Sequence, residues 1–284
     1  VATERSQRIE FELGVMQGRL LPKYRGRYQA HPVGYWEEEF DRARELGLAL
    51  IEFILDYEGA ETNPLLTDDG LAAIAAATRR TGVHVRSVCA DYFMEAPFHG
   101  TDGRAVTSAA MLGRLIERVA RLGVEHLVIP CVDQSTLADA AAVDRFVAAL
   151  EPFLGLARDR NVRLSLETDL APGPFRALLD RFDSPFVTVN YDIGNSASLG
   201  YDPAEEVAAY GDRISDIHVK DRVRGGGSVR LGTGDADFDG FFEALRRVGY
   251  RGPLILQAYR DDEGVTIFRE QLAWLRERLP AWTR

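Results

Sequence analysis

The 284-residue sequence predicts an α/β chain folded as a single closed (β/α)8, or TIM, barrel, and three observations carry that expectation. Eight short apolar runs alternate with eight longer helical patterns, no linker rich in Pro, Gly or Ser interrupts them, and the length suits one such barrel. A doubly wound open sheet shares the alternation, but eight units favour the barrel. The dinucleotide-binding glycine fingerprint is also missing after the first run, where Met16-Gln17-Gly18-Arg19 offers one glycine and three are needed.

The strand candidates are residues 11–17, 48–55, 83–90, 126–132, 162–167, 186–192, 214–220 and 253–258. Most are rich in Val, Ile and Leu, as expected of parallel strands buried on both faces. Apolar residues at three and four spacing predict helices over 36–46, 69–81, 107–122, 136–160, 174–182, 203–210, 238–248 and 266–279. Asp202-Pro203 supplies an N-cap followed by proline at the first helical position. Gly47, Gly82, Gly123 and Gly249 each follow a helix end. Gly225-Gly226-Gly227 precedes no helix start and reads as a mobile loop. Residues 1–8 read as a tail, and 9–284 as the barrel.

Composition narrows the function. With 46% hydrophobic and 27% charged residues, this is an ordinary soluble composition. A net charge of −10 lacks the basic footprint that nucleic acid demands, so no nucleic-acid partner is expected. Two basic clusters, from Arg19 through Lys23 to Arg27 and across Lys220, Arg222 and Arg224, suit one small anionic group instead. No run of about 18 apolar residues exists, so no membrane span is expected. Two cysteines in apolar runs, Cys89 and Cys131, and no apolar signal core near residue 1 point to the cytoplasm.

Chemistry in such a barrel gathers where strands end at the C-terminal face. The fifth run ends on Glu167, the sixth on Asp192, the seventh passes through His218 and the eighth reaches Gln257, at spacings of 25, 26 and 39 residues. Four consecutive strand ends each deliver an oxygen or nitrogen donor. Two carboxylates, one imidazole and one amide oxygen make a hard set that suits one divalent ion. Mn²⁺ is the first candidate, with Mg²⁺, Co²⁺ and Zn²⁺ also compatible.

Tyr191-Asp192-Ile193-Gly194-Asn195, the segment 217–221 (IHVKD) and the segment 231–238 (LGTGDADF) resemble the sugar phosphate isomerase/epimerase superfamily, the xylose isomerase-like barrels. They look closest to its L-xylulose 5-phosphate 3-epimerase (hexulose-6-phosphate isomerase-like) branch. The resemblance implies metal ligation by Glu167, Asp192, His218 and Gln257, a sugar or sugar-phosphate substrate, and a metal-bound enediolate. It also implies two glutamates working on opposite faces of the substrate. The chain departs from that pattern at Gln257, because an amide ligates through oxygen but is no base near neutral pH. Glu167 shuttling a proton alone, a second group such as His84, Glu52 or Asp91, a related elimination on a keto-sugar or cyclitol, and a non-catalytic sugar-binding barrel all stay open. Lys220, two residues beyond His218 on the same side of the strand, is the expected partner of a developing enediolate. Glu52, Asn195, Arg19, Lys23, Arg222 and Arg224 are the expected substrate contacts. A homodimer is an assembly open to such a barrel, although nothing in the sequence marks an interface.

Overall fold

A computed structural model describes residues 10–283, so the tail expected over 1–8 lies outside the described residues. The eight apolar runs form β1 (Leu13–Met16), β2 (Leu50–Ile54), β3 (His84–Cys89), β4 (His126–Cys131), β5 (Arg163–Thr168), β6 (Val187–Asp192), β7 (Ile214–Val219) and β8 (Leu254–Leu256). Each pairs in parallel with its neighbour in sequence, and β8 pairs with β1 to close the barrel. Among the described residues no helix is long and apolar enough to cross a membrane.

Strand alternation divides the buried side chains into two sets. Leu164, Leu166, Val187, Val189, Tyr191, Ile217 and Val219 join the apolar shell between strands and helices. Inside the barrel, a small separate cluster of Met16, Leu50, Ile54, Cys89, Val128 and Ile255 fills the side formed by β8 and β1–β4. The inward positions of β5–β7 are polar instead. Ser165, Glu167, Thr188, Asn190, Asp216 and His218 are all buried there. Near the base, the Ser165 hydroxyl lies 3.0 Å from both the Thr188 and Ser215 hydroxyls, so this polar half is hydrogen-bonded rather than hollow.

The expected helices appear in order, joined by short unexpected ones at Tyr92–Glu95 and Ile193–Leu199, and two further differences are informative. The pattern over 136–160 is broken into Ala140–Leu150 and Leu154–Arg160 by a tight turn at Glu151–Phe153. Pro152 explains the break, since it lacks an N–H and crowds the preceding turn. The Gly225–Gly227 segment is not a free loop but the turn of a short antiparallel ribbon, in which Asp221–Arg222 pairs with Ser228–Val229. Asp202 caps Pro203–Tyr210 as expected, accepting from the Ala204 N–H at 2.7 Å.

His126, at the N-terminal end of β4, is buried, and burial foremost pushes its pKa down to about 3. In the unfolded chain the imidazole ionises near 6.5, so between about pH 3 and 6.5 the unfolded state binds more protons. The stability contributed by this depressed base is present above 6.5 and is lost as pH falls. Replacing His126 with Gln should therefore flatten the profile. The stability difference between wild type and variant, from urea unfolding, should move by about 2 kcal/mol between pH 7 and pH 5. An unchanged difference would mean that His126 is not held neutral by the fold.

Candidate active site

β5, β6 and β7 place three donors together at the C-terminal mouth. One ligand atom each from Glu167, Asp192 and His218 lies within 4.8 Å of the other two, and all three side chains are buried. The strand register accounts for the meeting, because Asp192 on β6 is paired directly with His218 on β7. His218 Nδ1 is 3.5 Å from Glu167 Oε2 and 3.9 Å from Asp192 Oδ2.

The imidazole is fixed from behind. His218 Nε2–H donates to Glu52 Oε1 at 2.7 Å, with both residues completely buried, so Nδ1 is the nitrogen turned towards the carboxylates. Burial opposes a charge on His218, but Glu52 and then Glu167 outweigh it and hold its pKa well above the usual value. Asn190, two residues before Asp192, donates its amide to Glu167 Oε2 at 3.0 Å, and the same nitrogen lies 3.0 Å from His218 Nδ1.

Asp192 is oriented by the helix that it starts. Its Oδ1 caps Ile193–Leu199 by accepting from the Asn195 N–H at 2.8 Å, which leaves Oδ2 for Lys220 Nζ at 3.2 Å. That helix is absent from the sequence-based expectation, being a single seven-residue turn structure hidden behind the strand pattern. Asn195 then donates to Glu167 Oε1 at 2.6 Å and accepts from Lys220 and Arg222 at 3.1 and 2.8 Å. Gly194 is required by this packing, since a Cβ there would sit 2.7 Å from Lys220 Cγ and 3.1 Å from its backbone.

The orientation of Gln257, just past β8, follows from a chain of donors. Arg19 can only donate, and its Nη2 reaches Gln29 Oε1 at 3.0 Å. Gln29 must then turn its amide nitrogen outwards, where it donates to Asp91 Oδ2 at 2.8 Å. Gln257 donates to the same Gln29 oxygen at 3.0 Å, so its own Oε1 is left buried and without a partner. Glu167, Asn195, Lys220, Arg222, Arg19 and Gln257 all line one cavity of about 450 Å³ over this mouth.

The other expected contacts lie elsewhere. Glu52 sits behind the imidazole and does not line the cavity. Lys23 is paired with Asp262 at 2.8 Å. Arg224 is exposed and lies over Gly200, in a separate cleft with Tyr201 and Asp235. Arg19 reaches the cavity wall but is 1% exposed, and its guanidinium is held by Ala258 O, Tyr28 O and Gln29. Its role in the fold is to lock Gln29. His84 is exposed at the start of β3. Gln29 escaped sequence reasoning because it lies in an irregular loop with no period, whereas Asn190 was within reach, sharing the inward parity of Asp192.

The sequence profile of the xylose isomerase-like TIM barrel family matches residues 40–278. The chain belongs to that family. Among family relatives, the L-ribulose-5-phosphate 3-epimerase UlaE of Salmonella paratyphi A is 26% identical over 244 residues, covering 82% of this chain and 86% of its own. Two solved structures share the fold. An L-ribulose 3-epimerase superposes with a TM-score of 0.75 at 17% identity, covering 96% of each chain. A xylose isomerase-like TIM barrel protein from Mycobacterium smegmatis in complex with magnesium does so with a TM-score of 0.72 at 17% identity, covering 96% of this chain and 98% of the other.

Proposed function

We propose that this xylose isomerase-like barrel is a divalent-metal-dependent isomerase or epimerase of a ketose or ketose phosphate, with Glu167 as the base. The observation that carries the reading is the convergence of Glu167, Asp192 and His218 within 4.8 Å at the mouth of the barrel. The donor set fits a hard dication. Two carboxylates and an imidazole face one another, a carboxylate behind the imidazole fixes its orientation, and Gln257 Oε1 is a buried oxygen lacking a donor. Glu167, Asp192, His218 and Gln257 would hold the ion, with Mn²⁺ the first to test. When bound, the ion supplies Lewis acidity that makes the C–H beside a ketone more acidic.

The remaining work falls to side chains. Glu167, steadied by Asn190 and Asn195, accepts the proton from that carbon. Lys220 lies 13% exposed at the cavity and brings a positive charge close to where an enediolate oxygen would form. Arg222, beside it, is placed for a substrate oxygen or a terminal phosphate. The name of the UlaE relative supports a ketopentose phosphate as the first substrate to try. Two free, buried thiols, Cys89 and Cys131, fit a reducing cytosol.

The test is calorimetric titration with Mn²⁺, followed by incubation with L-ribulose 5-phosphate in D₂O. We expect one ion per chain and deuterium entering the sugar beside the ketone only when the ion is present. Binding of sugar with no exchange would leave a sugar-binding barrel in place of an enzyme.

A further inference from the structure

Resting on that reading, the geometry points to Asp91 as the second proton-transfer group of the site, serving a face of the reacting carbon that Glu167 does not reach. Inversion at a carbon needs one proton removed from one face and another delivered to the opposite face. Gln257 cannot do either, so the second group must come from another wall of the cavity.

The titratable side chains of that wall reduce to one. Lys220 is tied to Asp192 and Asn195, on the side of Glu167. Burial foremost holds the Cys89 thiol well above its usual pKa, and that thiol donates to Asp91 Oδ1 at 3.2 Å. Asp133 is exposed. Asp91 remains, arriving from the tip of β3, two strands round the barrel from Glu167. The residue keeps part of its surface open to the cavity while its carboxylate lies deep, and burial foremost raises its pKa to about 6. That value suits a group that must hold and release a proton near neutral pH. Gln29, locked by Arg19, positions Oδ2, and Cys89 positions Oδ1.

A second feature favours this residue. Asp91 and Met94 line both the cavity above Glu167 and an adjoining cleft of about 490 Å³ that contains Arg27, Tyr57 and Glu95. Asp91 therefore stands between the reacting carbon and a separate opening to water, through which its proton can be replaced.

The steps balance without a further reagent. Glu167 takes the proton: the C–H bond breaks, an O–H forms on Glu167, and the electron pair passes into the enediolate. Protonated Asp91 then gives its proton to the same carbon from its own side. Its O–H breaks, a new C–H forms and the ketone returns. Glu167 is left as the acid and Asp91 as the carboxylate, and both exchange with water before the next turnover. In the reverse direction the roles swap.

Wild type and Asp91→Asn, both loaded with Mn²⁺, are incubated with L-ribulose 5-phosphate in D₂O, and deuterium is followed separately in recovered substrate and in its C3 epimer. In wild type the first-formed epimer should carry a full deuterium at the inverted carbon. In Asp91→Asn the ratio of epimer formed to deuterium in recovered substrate should fall at least 100-fold. Equal falls in both, leaving the ratio unchanged, would show a merely structural role and overturn the inference. So would first-formed epimer retaining its original hydrogen, a result that needs no variant to fold. Exchange without any inversion in wild type overturns the assignment of Asp91 alone, whereas absence of exchange overturns the proposed function and this inference with it.

Discussion

Glu167→Gln should lower deuterium exchange into a bound ketose by about 10²- to 10⁴-fold, the usual contribution of a positioned general base. The substitution separates two duties of one side chain. Glutamine keeps an oxygen that can ligate a divalent ion, but its amide accepts no proton near neutral pH. Affinity for Mn²⁺ should therefore fall much less than the exchange rate. The exchange is local to the site: Glu167 Oε1 accepts from Asn195 and Oε2 from Asn190, so an amide NH₂ must oppose one of these donors. A modest loss of stability, of about 1–2 kcal/mol, is expected from that one mismatched contact. Exchange rate by NMR, metal affinity by calorimetry and the urea midpoint read the three effects apart. A variant that exchanges within tenfold of wild type would remove Glu167 from the chemistry.

Asp221→Ala should produce the largest loss of stability. The carboxylate is completely buried and accepts three backbone N–H groups from the loop after the ribbon, those of Gly232 and Gly234 at 2.9 Å and of Ala236 at 3.2 Å. Removing it leaves three donors without their charged acceptor. The expected cost is about 3–4 kcal/mol, roughly a 6 °C fall in Tm for a chain of this size. Amide exchange at Gly232 and Gly234 should accelerate first, since those hydrogens lose their only protein acceptor among the described contacts. An unchanged Tm would show that the loop is held by other means. Gly234 is part of the same device, because a Cβ there would lie 2.2 Å from Asp221 Oδ1. The glycine-rich segment that follows Arg230 is thus a cradle for one carboxylate. Its strand-side neighbour Lys220 pairs with Asp192 instead.

The barrel and three of its site residues were legible because parallel strands impose a simple rule. A strand buried on both faces shows as an unbroken apolar run, and a polar residue ending such a run is conspicuous. Glu167, Asp192 and His218 stood out in this way, and their register brings them together. Position 257 was equally legible as an amide at the end of the eighth apolar run. What the order of residues does not encode locally is the direction of each side chain once loops fold back. Glu52 reads as a strand end in the sequence, yet β2 continues to Ile54, so Glu52 points into the barrel below the mouth, behind the imidazole rather than into the cavity. Arg19 and Arg224 sit in basic clusters, yet one is consumed in holding Gln29 and the other faces a different cleft.

Hydrophobic runs and the positions at which they stop were enough for the eight-stranded architecture and for the three donors at its mouth. The tertiary structure alone decided that Gln29 joins Asp91 to Gln257, that Glu52 orients His218, and that Asp221 fastens a loop. The first two join residues more than sixty positions apart, which only closure of the barrel brings within reach, and the third needs the ribbon to fold so that a buried carboxylate meets the N–H groups of the loop behind it.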